Sequence, residues 1–196
     1  MQRLLISLGF LLTLLASLHA SADFDEGLAA YKAGDYATAE EEFKKAAYKG
    51  DALAQHNLGV MYDKGRGVLQ DYKEAVKWYR LAAEQGNAEA QHNLGFGYDT
   101  GDGVTQDKKE AVKWYRLSAE QGYASAQSNL GLMYPNGEGV IQDNGYAHMW
   151  FNIAASNGDE SGKGNRDIIA KRMTLAEILE AQKLARDCVA RDFKDC

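Results

Sequence analysis

Two histidines, two cysteines and three glycine-rich loops are the residues of this chain whose types and spacing admit chemistry. His56 and His92 stand 36 positions apart, in the matching blocks Gln55-His56-Asn57-Leu58-Gly59 and Gln91-His92-Asn93-Leu94-Gly95. Imidazoles at equivalent points of adjacent packed helices would lie about 10 Å apart, whereas zinc holds its histidine nitrogens at about 2.0–2.1 Å. No cysteine accompanies them and Ser128 occupies the third copy, so the pair reads as solvent-facing or partner-contacting. His148, in Ala147-His148-Met149-Trp150, reads as packing. The runs Gly65-Arg66-Gly67-Val68, Gly101-Asp102-Gly103-Val104 and Gly137-Glu138-Gly139-Val140 invite comparison with phosphate-cradling loops. Such loops need a preceding strand and a third glycine or a lysine, and this chain supplies neither. No serine keeps a fixed relation to a histidine and an acid. The expectation is therefore no catalytic residue, no cofactor and no metal.

The elements that position these residues begin after an address. Met1-Gln2-Arg3 precedes an apolar run from Leu4 to Leu18, and Ala20-Ser21-Ala22 offers small residues where a signal peptidase cuts. The run is short for a membrane span and leads directly into the cleavage site. Residues 1–22 are read as a secretory signal, and the mature chain from Asp23 as periplasmic or secreted, with no membrane span after cleavage. Loss of Arg3 leaves 21 basic against 28 acidic residues, a net charge of −7. An acidic chain without a basic patch is a poor ligand for nucleic acid or an anionic membrane.

In an oxidising compartment, Cys188 and Cys196, the only two cysteines, favour a local disulfide. A straight helix would hold them about 12 Å apart, so bridging requires the chain to turn near Asp192. The bridge would clip the terminus onto the last helix; a free Cys196 and an intermolecular bridge are the alternatives.

The histidine-bearing block belongs to a larger period. It returns as Gln127-Ser128-Asn129-Leu130-Gly131, and Trp78-Tyr79, Trp114-Tyr115 and Trp150-Phe151 follow at the same interval. A repeat of this length signals stacked units, none of which buries its apolar face alone. Ala54, Leu58 and Tyr62 sit four apart, as on one side of a helix, and Ala75, Tyr79, Ala82 and Ala83 line a second helix that ends at Gly86. Asp71, Asp107 and Asp143 are placed to cap the second helix of each unit. Each unit is predicted to be a helical hairpin.

The pattern Ala-x-Ala-Gln-x-Asn-Leu-Gly-x-x-Tyr, then Gly-x-Gly-Val, then Ala-x-x-Trp-Tyr-x-x-Ala-Ala-x-Gln-Gly resembles the Sel-1-like repeat, a relative of the tetratricopeptide repeat. The resemblance implies an all-α, right-handed superhelical α-solenoid. Its divisions would be a tetratricopeptide-like hairpin over 23–50, repeats at 51–86, 87–122 and 123–158, and capping helices over 159–196, the last begun by Thr174. It also implies a monomeric, non-catalytic adaptor or scaffold of the bacterial envelope that binds a protein or peptide. Some cysteine-rich relatives are associated with penicillin binding, which keeps a small-ligand or cell-wall-fragment binder with weak hydrolase activity as the alternative. This chain lacks the cysteine pair per repeat that marks them.

By analogy with tetratricopeptide repeats, first helices line the concave face. The inward positions would be Leu53, His56, Val60 and Asp63, then Glu89, His92, Phe96 and Asp99, then Ser125, Ser128, Leu132 and Pro135. Leu53 against Glu89 and Val60 against Phe96 differ while core positions repeat. That difference fits a groove that reads a partner, and equally drift on an unconstrained face. Three departures complete the pattern: Pro135 should end its helix early, Asn144-Gly145 should weaken the start of another, and Gly97 replaces Met61 and Met133. Glycine there costs roughly 1 kcal/mol relative to alanine, so the second and third repeats are expected to be softer than the first.

Overall fold

The computed structural model describes residues 21–194 and 196, which leaves the segment 1–20 of the proposed signal outside the described residues. These residues form ten helices and no strand. They are α1 (21–33), α2 (Tyr36–Tyr48), α3 (Ala52–Lys64), α4 (Tyr72–Glu84), α5 (Ala88–Thr100), α6 (Lys108–Ala119), α7 (Ala124–Met133), α8 (Asn144–Ser156), α9 (Glu160–Ala170) and α10 (Leu175–Ala190). The chain divides into two compact units, one ending at Asn87 and one running from Ala88 to Cys196. In each, consecutive helices pack as hairpins, α2 on α3 and α3 on α4 in the first, and α5 through α8 in the second with α9 and α10 closing against α8.

Local chemistry explains the boundaries. The carboxylates of Asp71, Asp107 and Asp143 accept from the second and third backbone N–H groups beyond them, satisfying donors that a helix start otherwise leaves orphaned. The Asp143 cap starts α8 at the same point as α4 and α6 despite Asn144-Gly145. Each second helix stops before Gly50, Gly86, Gly122 or Gly158, whose φ of 83 to 93° a side chain would disfavour. Pro135 has its expected effect: α7 spans 10 residues where α3 and α5 span 13. Thr174 begins α10 with a capping box, its hydroxyl accepting from the Glu177 N–H while the Glu177 carboxylate accepts from the Thr174 N–H.

The repeated Asn-Leu-Gly and aromatic positions meet inside each hairpin. An ideal Cβ on Gly27, Gly59, Gly95 or Gly131 would stand 2.5 to 2.8 Å from the ring of Phe43, Tyr79, Tyr115 or Phe151. The glycine is a seat for the ring, and the missing side chain lets two helices approach. Around it, the first unit buries Phe43, Leu58 and Met61 completely, and the second Tyr115, Leu130 and Trp150. The last helix packs with Ala181, Ala185 and Cys188, whereas Leu175 and Leu179, two residues of its apolar run, remain exposed. The Cys188 and Cys196 sulfurs are bonded, and left-handed backbone at Asp192 and Phe193 makes the turn that returns the chain. Phe193 rests against the second unit's core and Gly122.

Candidate interaction surfaces

The inward positions read from the sequence separate into outward and enclosed side chains. In the first unit, α3 holds Leu53 49% exposed, with His56, Val60 and Asp63 half-buried. The ring of His56 lies 6.0 Å from that of Tyr79. In the second unit, Phe96 and Leu132 are each 48% exposed and Glu89 is also exposed, while Asp99, Ser125 and Pro135 are half-buried. Ser128 is only 4% exposed. It is buried within the second unit, which corrects its reading as a partner-contacting residue.

His92 is likewise more enclosed than its sequence position suggests. Its ring packs 5.8 Å from that of Tyr115 and 5.2 Å from that of Tyr123. The Asn129 amide donates to Nε2 at 3.0 Å, and Nδ1 donates to the Asn93 carbonyl oxygen at 3.2 Å. An amide NH2 can only donate and an amide oxygen can only accept, so the pair fixes the neutral tautomer. Burial lowers the His92 pKa, against smaller opposing effects from Asn93 and Glu89. The Tyr115 hydroxyl donates to Asp99 at 3.3 Å, and burial followed by the Asp99 charge raises its pKa. Asp99 and Glu138 both pair with Lys108, whose pKa rises through those two hydrogen bonds. Lys108, in turn, lowers the Glu138 pKa. This polar chain ties α5, α6, α7 and the 137–140 loop together; it holds structure and presents no nucleophile.

His148 is 2% exposed, in keeping with packing, and burial followed by the Arg166 charge lowers its pKa. No group of three or more His, Cys, Asp or Glu side chains with metal-binding placement occurs among the described residues.

Sequence reading gave no role to Gln55, Gln91 and Gln127, which prove to be buried clamps at 5%, 5% and 0% exposure. Gln55 donates to the Ala47 carbonyl and accepts from Gln85, while Gln127 donates to the Ala119 carbonyl and accepts from Asn157. Gln55 and Gln127 each use both ends of one amide to join the C-terminal ends of successive second helices, and Gln91 accepts from Gln121. The available signal was a polar residue repeated unchanged beside the leucine of the core.

Two clefts of the second unit are lined in part by α9 or α10. One of about 350 Å³ is bordered by Asp143, Tyr146, Met173, Glu177, Glu180 and Leu184. The other, about 190 Å³, has Phe151 and Ile169 beneath it and Leu132, Pro135, Ile168 and Arg172 around it.

Comparison with known proteins agrees with this architecture. The Sel1 repeat profile matches residues 52–87, 88–123 and 124–159, one residue later than the divisions read from the sequence. No curated protein matches. Among solved structures, a protective antigen of uropathogenic Escherichia coli strains displaying an SLR fold is 36% identical, with a TM-score of 0.74 over 80% of this chain. This chain spans about a third of that protein, 34% of its length. A Sel1 repeat protein from Oxalobacter formigenes is 33% identical, with a TM-score of 0.66 over 83% of this chain and 74% of its own. The cysteine rich protein B of Helicobacter pylori, 21% identical, shares the fold at a TM-score of 0.51 over 64% of this chain and 95% of its own. Three consecutive profile matches, seated on three hairpins with the same glycine–ring contact, place this chain in the Sel1-repeat family.

Proposed function

We propose that this protein is a non-catalytic adaptor of the bacterial envelope that binds a protein or peptide, its candidate contacts being the exposed face of α3 in the first unit and those of α5 and α7 in the second. Sel1-repeat proteins mediate protein–protein interaction. The observation that carries the reading is the exposure of Leu53, Phe96 and Leu132, each about half open, on helices whose Leu58, Leu94 and Leu130 are fully buried. Half-open apolar side chains on a rigid scaffold are suited to anchoring a partner. Export is supported by the disulfide and by the likeness to bacterial SLR-fold proteins. No helix among the described residues is long and apolar enough to cross a membrane.

Crosslinking capture from envelope extract tests the reading. Val60→Asp and Phe96→Asp place a charge on each face without entering the cores. The expected result is loss of the captured partner with unchanged helicity; retention of the partner by both variants overturns the assignment of these faces.

A further inference from the structure

We propose that the cleft between α7 and α9 receives an internal partner segment in which one large apolar side chain adjoins an Asp or Glu, with Arg172 pairing the carboxylate. The proposal rests on the adaptor reading and gives its partner a chemistry.

Three observations converge there. First, the cleft is small, about 190 Å³, below the roughly 300 Å³ at which pockets for drug-sized ligands begin. It has room for one anchoring side chain over buried Phe151 and Ile169, between half-exposed Leu132 and Ile168. Second, its only charged lining group is the exposed guanidinium of Arg172, which forms no ion pair with any described residue. Glu177, across the same arginine, is committed to the capping box of α10. A guanidinium beside an apolar floor selects for a carboxylate next to an apolar group. Third, the third repeat departs from the other two at the rim of this cleft. Asp63 and Asp99 have Pro135 as their counterpart. The substitution shortens α7 and removes the carboxylate that would repel an acidic ligand at this rim. The neighbouring Glu138 is held by Lys108 and Asn136.

Leu132 belongs both to this cleft and to the exposed Phe96–Leu132 series of the second unit. A segment lying along that series reaches the cleft while continuing past it, which favours an internal segment over a chain end.

The test is fluorescence anisotropy with the oxidised protein and short labelled peptides blocked at both ends. The peptides carry Leu-Asp, Phe-Glu or the neutral Leu-Asn in a Gly-Ser context. The acidic peptides should bind about tenfold tighter than Leu-Asn. Arg172→Gln should erase that preference, Arg172→Lys should restore part of it, and Ile168→Ser should weaken all three. Arg172 and Ile168 are exposed, so these variants should fold. Equal binding of Leu-Asp and Leu-Asn overturns the proposal, as does a preference that survives Arg172→Gln or absence of binding at millimolar peptide. If Arg172→Gln leaves a captured partner in place while Phe96→Asp removes it, only the cleft assignment falls. If Phe96→Asp and Val60→Asp both have no effect, the adaptor faces fall instead.

Discussion

The two units build the same loop and fasten it with different chemistry. In the first, Gly67 lies so close to Tyr36 at the start of α2 that an added Cβ would stand 2.6 Å from the tyrosine Cβ. In the second, Gly139 lies against the start of α6, where an added Cβ would stand 2.3 Å from the Lys108 carbonyl oxygen. The residue between the loop glycines then reaches back. Arg66 lies over the Tyr31 ring at 5.8 Å and donates to its hydroxyl, whereas Glu138 pairs with Lys108 at 2.8 Å. Backbone approach is common to both loops, while the side chain that secures it is free to change from cation on ring to carboxylate on amine. The glycine makes the joint, and its neighbour adjusts it.

That division predicts a steep order of effects. Gly139→Ala combines a positive φ of 72° with a backbone collision, and should cost about 3 kcal/mol of stability. Gly137→Ala shares the left-handed backbone, but its nearest neighbour stands at 3.3 Å, and should cost about 1 kcal/mol. Equilibrium urea unfolding distinguishes them; equal losses would mean that close approach contributes nothing. Next comes Cys188→Ser, which releases a crosslink spanning 8 residues and with it the Phe193 turn. A loss of about 2 kcal/mol is expected from chain entropy, with increased hydrogen exchange in the last turn of α10 and none in α3 or α4.

How much of this was legible beforehand depends on whether a residue's job is local or requires a neighbour. Asp71, Asp107 and Asp143 announce themselves because a cap acts within three residues, and Gly86 because it ends the helix it follows. The hairpins and their repetition were legible for the same reason, as was the early end of α7 at Pro135. The exposed role given to Ser128 did not survive, because its burial is decided by packing within the second unit and not by its place on α7. The exposure of Leu175 and Leu179 is set in the same way, by which side of α10 packs through Ala181, Ala185 and Cys188. Arg172 could not be singled out, since an unpaired guanidinium is defined by which carboxylates fail to reach it.

Two histidines of the second unit, His92 and His148, give it a pH dependence. His92 is held neutral by burial, so its folded pKa lies below its unfolded one, and His148 follows the same direction. Their contribution is complete above the unfolded pKa and declines as pH falls through it toward the folded value, because the unfolded chain then binds more protons. Thermal unfolding should therefore show stability falling as the pH drops through the ordinary histidine value of 6.5. His92→Gln should flatten part of that slope, with His148 retaining the remainder. An unchanged slope in the variant would show that the burial of His92 is not what sets it.

The smallest expected effect separates the two fastenings themselves. The Lys108–Glu138 pair has side chains 35% and 37% exposed, a setting in which an ion pair is worth about 0.5 kcal/mol and is screened by salt. Arg66 on Tyr31 involves a neutral ring and hydroxyl, whose attraction to a cation is short-ranged and less responsive to ionic strength. Glu138→Gln should therefore accelerate hydrogen exchange around residues 108–112 at low salt and match the parent at about 1 M NaCl, where the screening length is about 3 Å. The effect of Arg66→Gln on exchange around residues 36–40 should persist in the same salt. A common salt response would mean that Arg66 acts through net charge and not through the ring beneath it. Both variants retain their glycines, so each loop should keep its backbone seat, and the difference between them measures the side chain alone.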